Sequence, residues 1–394
     1  MISRTMVKLN FSLSKRIIVI SWLLTVGLVC LELSDLFAVI DFSNMFFIGV
    51  LIPLFMLVGF YLFSIEFPVV NKNIVVIGLD LNLITRKLNL FSIIFFALVV
   101  GEFLLEGYVP IISMFQGQAI SQFDFGVASL HGFLMSFGSM LFTGWFFVFH
   151  IKKDKKALFF MSLILIFFVL VVTRKMIAVS LIQAFLVAFL LRGNNKFILK
   201  TMVVFLVFVI VFGWIGDIRT GRELFLSLSH FKSEYPEWLP TGFAWVYIYI
   251  TTPLVNLVNA FQISQDPTFD FSFLGGIFPS VVRGYLFELN NDPFGNYWQI
   301  SGAFNVGTGF MPLYLSFGLL GVFFFSFGVG FMFAFIKYKL NNFTWFLIYI
   351  VVFQCSVLLI FNNNFFNLNT VSQVVFSFLF YRVYFSKSRS GFER

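Results

Sequence analysis

The sequence predicts an all-α, polytopic membrane protein, and three observations carry that prediction. Of its 394 residues, 60% are hydrophobic and 11% charged, whereas a soluble domain carries about 25% charged residues. The mean hydropathy of +0.96 is that of a chain solvated by lipid. The apolar residues also fall into runs of roughly 20, the length that crosses a ~30 Å hydrocarbon core as a helix. The 63 Phe residues reflect low-GC coding before they reflect lipid-facing packing.

Taken in order, ten segments qualify: 17–37, 44–64, 88–106, 127–150, 157–173, 176–192, 197–214, 311–336, 343–361 and 370–385. The first follows Arg4, Lys8, Lys15 and Arg16 and runs on without a small-residue cleavage site, so it reads as a span and not a cleaved signal peptide. Only Arg174 and Lys175 separate the fifth segment from the sixth, which makes that pair a tight helical hairpin. Cys30 and Cys355 both fall in apolar runs; two buried thiols make neither a metal site nor a disulfide framework.

Orientation follows from the Lys/Arg bias of short loops. With the amino terminus in the cytoplasm, 20 of the 26 basic residues lie inside, and Arg174, Lys175, Arg219, Arg222, Lys232 and Arg283 remain outside. Of 18 acidic residues, only Glu66, Asp80, Asp154 and Glu393 fall inside. The net charge of +8 is therefore a topology signal and points to no nucleic acid. An even number of crossings follows, with both termini cytoplasmic.

Residues 241–261 test that count, being apolar enough for a span. A lone crossing there would carry Lys337, Lys339 and the basic carboxyl terminus outside. Pro253, Thr251, Thr252, Asn256 and Asn259 instead suit an interfacial or re-entrant segment packed on protein. The expectation is one single membrane domain with a large external region, 215–310. A connection of that size is far beyond those that usually join bundle helices and is usually functional.

The chemistry is expected on the outer side. The chain has no phosphate-binding Gly-rich loop with Lys-Ser/Thr, no HExxH, no CxxC and no GxSxG. ATP hydrolysis and zinc catalysis are not indicated, and no cofactor or metal is expected. What stands out is arginine held against the positive-inside trend: Arg174 and Lys175 in TRKM, Arg219 and Arg222 in GWIGDIRTGRE, Arg283 in FPSVVRGY. A guanidinium fork matches phosphate oxygens, and charges at the membrane edge are functional candidates. The plainer alternatives are lipid headgroup contacts or salt bridges, for which Asp217 and Glu223 adjoin Arg219 and Arg222. His131, at the outer end of a span, reads either as a packing residue or as a base. His230 reads similarly, and His150 as a solvated residue beside lysines. The carboxylates Glu223, Glu234, Glu237, Asp266, Asp270, Glu288 and Asp292 are possible bases with no spacing that singles out a pair. Tyr235, Trp238, Trp245, Tyr247, Tyr249, Tyr285, Tyr297 and Trp298 form an interfacial belt or stack on sugar faces.

One ordered set of motifs resembles a family. It runs from Gly107-Tyr108-Val109-Pro110 through Phe125-Gly126 and Leu130-His131-Gly132 to the TRK hairpin and GWIGDIRTG. Thr252-Pro253 with Asn256 follows, then FNVGTGFMPLYLSFGLLG at 304–321. Over about residues 100–335 this resembles the Wzy-type O-antigen polymerases, which are related to the O-antigen ligases. The resemblance implies a GT-C-like architecture in the bacterial inner membrane. It implies an inverting, metal-independent glycosyl transfer at the periplasmic face, moving the growing glycan from undecaprenyl pyrophosphate to the non-reducing end of a new lipid-linked repeat unit. It also implies membrane lipid and a chain-length regulator protein as partners. By resemblance, Arg174, Arg219, Arg222 and Arg283 contact pyrophosphate and glycan, with His131 catalytic and Lys175, Asn305, Thr308 and Tyr249 binding substrate. Related ligases place a His beside an Asn in the late external loop, where this chain has Phe304 before Asn305. The family commonly has more than ten spans, so eleven or twelve remain open. A lipid-linked oligosaccharide flippase and a multi-pass sugar O-acyltransferase are the alternatives.

Overall fold

The computed structural model describes residues 5–11, 14–116, 125–192, 221–263, 266–287 and 297–389, together with positions 203, 206, 207, 209, 210, 213, 214, 216 and 217. The expected span 197–214 therefore lies mostly outside the described residues.

The chain is helical, with several helices suited to a multi-pass membrane protein. Strand β1 (Thr5–Asn10) precedes α1 (Ser14–Val29) and α2 (Phe42–Glu66); strand β2 (Ile74–Leu79) leads into α3 (Leu81–Glu106) and the short α4 (Pro110–Phe115). Then come α5 (Leu130–Lys152), α6 (Lys155–Leu170), α7 (Arg174–Arg192), α8 (Arg222–Ser229), α9 (Gly242–Ile263), α10 (Ser280–Leu286), α11 (Met311–Tyr338), α12 (Phe343–Leu358) and α13 (Leu368–Arg389). Among the described residues, six helices are long and apolar enough to cross a membrane: α2, α3, α5, α7, α9 and α11. Helices α1, α12 and α13 contribute shorter apolar stretches. Polar side chains at the bundle ends start several of these helices. Asp41, Asp80, Asp154 and Asn342 accept backbone N–H groups of the first turns of α2, α3, α6 and α12, filling donors that a helix start leaves open.

A two-stranded sheet was not expected in an all-α chain. Its strands pair antiparallel, Thr5 opposite Leu79 and Asn10 opposite Ile74. Val7, Leu9, Ile77 and Leu79 turn inward, the period-two pattern of a half-buried ribbon. This marks one end of the bundle. Lys152 Nζ donates to Asn82 Oδ1 at 2.7 Å and Lys337 Nζ to the Lys72 carbonyl at 3.0 Å, closing α5 and α11 onto the same sheet end. The other end, the loop end, holds the α1–α2 connection and the chain that follows α8, joined where Asp35 N–H donates to the His230 carbonyl at 2.8 Å. Cys30, expected inside a span, lies just past α1 and is exposed; Cys355 is buried.

Helices α2 and α11 approach closely because glycine lets them. A Cβ on Gly59 would land on the Phe327 carbonyl, and one on Gly330 on the Met56 carbonyl. With lipid on the outside there is no hydrophobic gain in pairing helices, so close backbone packing of this kind holds them.

Helix α9 is the segment doubted as a span. It forms one unbroken helix of 22 residues, about 33 Å long at 1.5 Å per residue. Both of its ends are tied to the same connection. Near its start the Tyr247 hydroxyl accepts Leu33 N–H at 3.1 Å, and near its finish Gln262 Oε1 accepts Asp41 N–H at 3.2 Å. Leu33 and Asp41 are both in the α1–α2 connection, so both ends of α9 are fastened to one loop.

Candidate functional site

The site is built from two clusters at the loop end, one around the start of α5 and one beneath α9.

The first cluster begins with a carboxylate that sequence reasoning passed over. Glu102, one turn from the end of α3, is 1% exposed. Its Oε1 and Oε2 lie 3.1 and 3.2 Å from Nδ1 of His131, on the first turn of α5. The His131 side chain keeps 21% of its surface open. Its ring stands edge-on to Phe125 at 5.5 Å, and Gly126, at φ +100°, leaves it room: a Cβ there would meet the imidazole at 2.6 Å. Two residues before His131, the Ser129 hydroxyl bonds the Ser280 hydroxyl at 3.1 Å. That contact fastens the start of α10, which bears the exposed Arg283, to the entry of α5. Arg283 Nε lies above Gly275, where a Cβ would come within 3.3 Å.

The same turns of α5 meet α7 and α13. Asn369 Oδ1 accepts the Ser136 hydroxyl at 3.4 Å, and its amide reaches Met176 Sδ at 3.5 Å. Met176 follows Arg174 and Lys175, so both basic residues open α7 beside this cluster. The Arg174 side chain lies outside what is described. Lys175 is solvent-accessible and stands within electrostatic reach of Cys355. The tip before Arg174 turns through Val172, at φ +57°, a backbone conformation costly for a β-branched residue.

The second cluster is a re-entrant turn. Residues 311–336, expected as one span, are broken at Gly318 (φ 62°, ψ −152°). Pairs on either side of the break meet: Phe310 and Phe325 rings lie 5.6 Å apart, and a Cβ on Gly321 would press on the Leu313 carbonyl. The chain thus folds back on itself, and Met311–Phe317 is the returning arm of a hairpin instead of part of the crossing. Phe310 reaches Trp22, midway along α1, at 5.5 Å, which sets how deep the turn dips. Asn256 of α9 holds the descending strand. Its amide donates to the Phe304 and Val306 carbonyls and its Oδ1 accepts Ile300 N–H, each at 2.9 Å. Asn259 donates to the Trp298 carbonyl at 3.0 Å. Gly309 N–H donates to the Leu359 carbonyl at 2.7 Å, and Asn363 donates to the Gly309 carbonyl at 2.8 Å. Irregular backbone at this depth needs such partners.

The sequence candidates separate accordingly. His131, Lys175, the backbone of Arg174 and the helix carrying Arg283 are brought together around the start of α5. Asn305 is exposed on the irregular segment leading into the re-entrant turn. Thr308 is 2% exposed, and its Oγ1 accepts Phe310 N–H at 3.3 Å, which supports the turn. Tyr249, 37% exposed, stacks between Trp245 and Phe361 at 5.6 and 6.0 Å. Arg222 is engaged by its own loop: its guanidinium donates to the Pro236 and Glu237 carbonyls at 3.3 and 3.5 Å and faces the Tyr235 ring at 5.9 Å. Arg219 lies outside the described residues. Among the described residues, no three His, Cys, Asp or Glu side chains are grouped to hold a metal ion. No protein-family model, no curated protein and no solved structure matches this chain.

Proposed function

We propose that this chain is a membrane glycosyltransferase that polymerises lipid-pyrophosphate-linked oligosaccharide repeat units, the O-antigen type of surface polysaccharide. The observation that carries the reading is the Ser129–Ser280 contact. It brings a helix bearing an exposed arginine against the turn bearing His131, beside the start of α7 with Arg174 and Lys175. Cations and an imidazole at one end of an apolar bundle suit a donor whose lipid tail stays in the membrane while its diphosphate sits at the edge.

In this reading, Arg283, Lys175 and Arg174 receive the pyrophosphate. Guanidinium and ammonium groups neutralise the charge that gathers on it as the sugar–phosphate bond breaks, which an enzyme can do with fixed donors alone. The acceptor sugar hydroxyl attacks the anomeric carbon from the opposite face and inverts it. Substrate enters sideways between helices, and the sugars lie along the loop end, where Tyr249 stands among aromatic rings. The site faces the periplasm in this proposal, with both termini cytoplasmic. A flippase would draw support from a polar path through the bundle. The polar side chains at its centre, Gln183, Gln354 and Gln373, are instead buried and bonded to one another.

The test is a lipopolysaccharide gel from a strain lacking the gene and complemented with variants. The expected result is a single repeat unit in the deletion strain, a full ladder with the wild-type chain and the single unit again with Arg283→Ala, at unchanged membrane levels. A full ladder in the deletion strain would refute the reading. Loss of repeat units from the outer face altogether would favour a flippase. A normal ladder lacking acyl groups would favour an acyltransferase.

A further inference from the structure

The structure holds a buried acid that the proposed mechanism does not yet use. Glu102 sits in an apolar helix, 1% exposed, and both of its oxygens converge on one nitrogen of His131. Burying a carboxylate in a membrane helix is costly, and such groups are kept where they act. Among the described residues, His131 is the one side chain hydrogen-bonded to Glu102, so the pair is a unit.

We infer that Glu102 and His131 form the dyad that activates the acceptor hydroxyl, with His131 as the general base and Glu102 as its positioning residue. This rests on the glycosyltransferase reading above. An ionised carboxylate can only accept, so Nδ1 carries the proton and donates it to Glu102. That fixes the tautomer: Nε2 is left with its lone pair. Nε2 makes no hydrogen bond among the described residues, and the ring keeps open surface through which a hydroxyl can approach. Phe125 and Gly126 set the ring plane from one side, and α5 sets it from the other.

The step balances with no further reagent. Nε2 takes the proton from the acceptor hydroxyl while its oxygen forms the bond to the anomeric carbon of the donor sugar. The bond from that carbon to the pyrophosphate oxygen breaks, and the electron pair leaves with the lipid pyrophosphate. His131 becomes an imidazolium facing the Glu102 carboxylate and later returns its proton to water. The Ser129–Ser280 contact places the Arg283 helix beside this base, so the acceptor is deprotonated close to where the leaving group is neutralised. The order of parts is that of other base-and-orienter pairs: a reacting hydroxyl, an imidazole and a carboxylate that does not touch substrate.

The test uses membranes from the deletion strain carrying wild-type or variant chains, supplied with the lipid-linked oligosaccharide which that strain accumulates. A positioned base contributes about 10²–10⁴-fold, so His131→Ala and His131→Gln should each lower kcat about 100-fold or more, with KM unchanged. Added imidazole should restore at least tenfold in His131→Ala, where it can occupy the vacated space. Glu102→Gln should lower kcat about tenfold or more, again with KM unchanged. Wild-type kcat in His131→Gln or Glu102→Gln would overturn the inference. So would a loss in His131→Ala that imidazole leaves untouched, since that is the mark of a packing role. If the wild-type chain forms no polymer from this substrate, the polymerase reading itself fails.

Discussion

Replacing Gln183 by Met should loosen four helices at once. Gln183, on α7, is fully buried. Its Oε1 accepts the Thr143 hydroxyl of α5 at 2.6 Å; its amide donates to Gln373 Oε1 of α13 at 2.8 Å and to Gln354 Oε1 of α12 at 3.2 Å. Met keeps nearly the same volume and leaves no cavity, so the change isolates the polar loss. An interhelical hydrogen bond inside a membrane contributes about 0.6 kcal/mol on average and about 1.7 at most. Three of them are worth about 2 kcal/mol, and the partners left unpaired bring the expected loss to about 2–4 kcal/mol. The assay is reversible unfolding in mixed detergent micelles, followed by tryptophan fluorescence. A cycle with Thr143→Val should show coupling of about 0.5 kcal/mol or more, because the two side chains share a bond. A Gln183→Met loss under about 0.5 kcal/mol would refute the reasoning: the amides would then be finding other partners in the unfolded membrane state as good as these.

Three further changes probe how the bundle and its re-entrant turn are held. Gly330→Ala puts a methyl group against the Met56 carbonyl and should cost about 1–3 kcal/mol in the same unfolding assay. Gly101→Ala, where a Cβ meets nothing within 4 Å, should be neutral or stabilising by up to about 1 kcal/mol. Asn256→Leu removes the three bonds that hold the strand entering the re-entrant turn. A cysteine placed at position 305 should then be labelled more uniformly by a membrane-impermeant maleimide, and the glycan ladder should shorten or vanish.

How much of this was legible can be judged residue by residue. The runs that form α2, α3, α5 and α7 are apolar over whole span lengths, and composition alone finds them. Helix α9 was expected as an interfacial or re-entrant segment on account of Asn256, Asn259 and Pro253, yet by length and composition it is one of the six helices able to cross a membrane; the tether of both its ends to the α1–α2 connection could not be read from sequence. The re-entrant turn left a signal in Gly307, Gly309, Pro312 and Gly318, but hydropathy averages over such residues and returned one span. The two-stranded sheet of β1 and β2 joins six-residue pieces almost 70 residues apart, each too short for periodicity to mark. Among the candidate residues, the helix-end positions of His131 and Lys175 were legible in the sequence. Arg222 was placed beside acidic neighbours in sequence, yet it bonds to backbone carbonyls, which sequence spacing cannot anticipate. Glu102 did carry a signal, an acid inside the apolar run GEFLLE. Counting it as one more external charge hid the point that its side chain faces protein.

The polar groups of the bundle are graded by depth, and the grading explains why the candidate site can be charged at all. At the centre, Gln183, Gln354, Gln373 and Thr143 meet as neutral groups, which can satisfy one another without the desolvation cost that ions carry. At the loop end the chain turns to ions, but only where water or an opposite charge is within reach: Arg283 and Lys175 are exposed, and the buried Glu102 faces His131. The neutral core therefore does more than glue helices. It fixes α5, α7, α12 and α13 relative to one another below the point where three of them present His131, Lys175 and Asn369. In the proposed mechanism a base and a cation must stay within about an ångström of their working geometry, which surface loops alone cannot ensure, and the buried amides are what this bundle offers in place of a soluble domain's core.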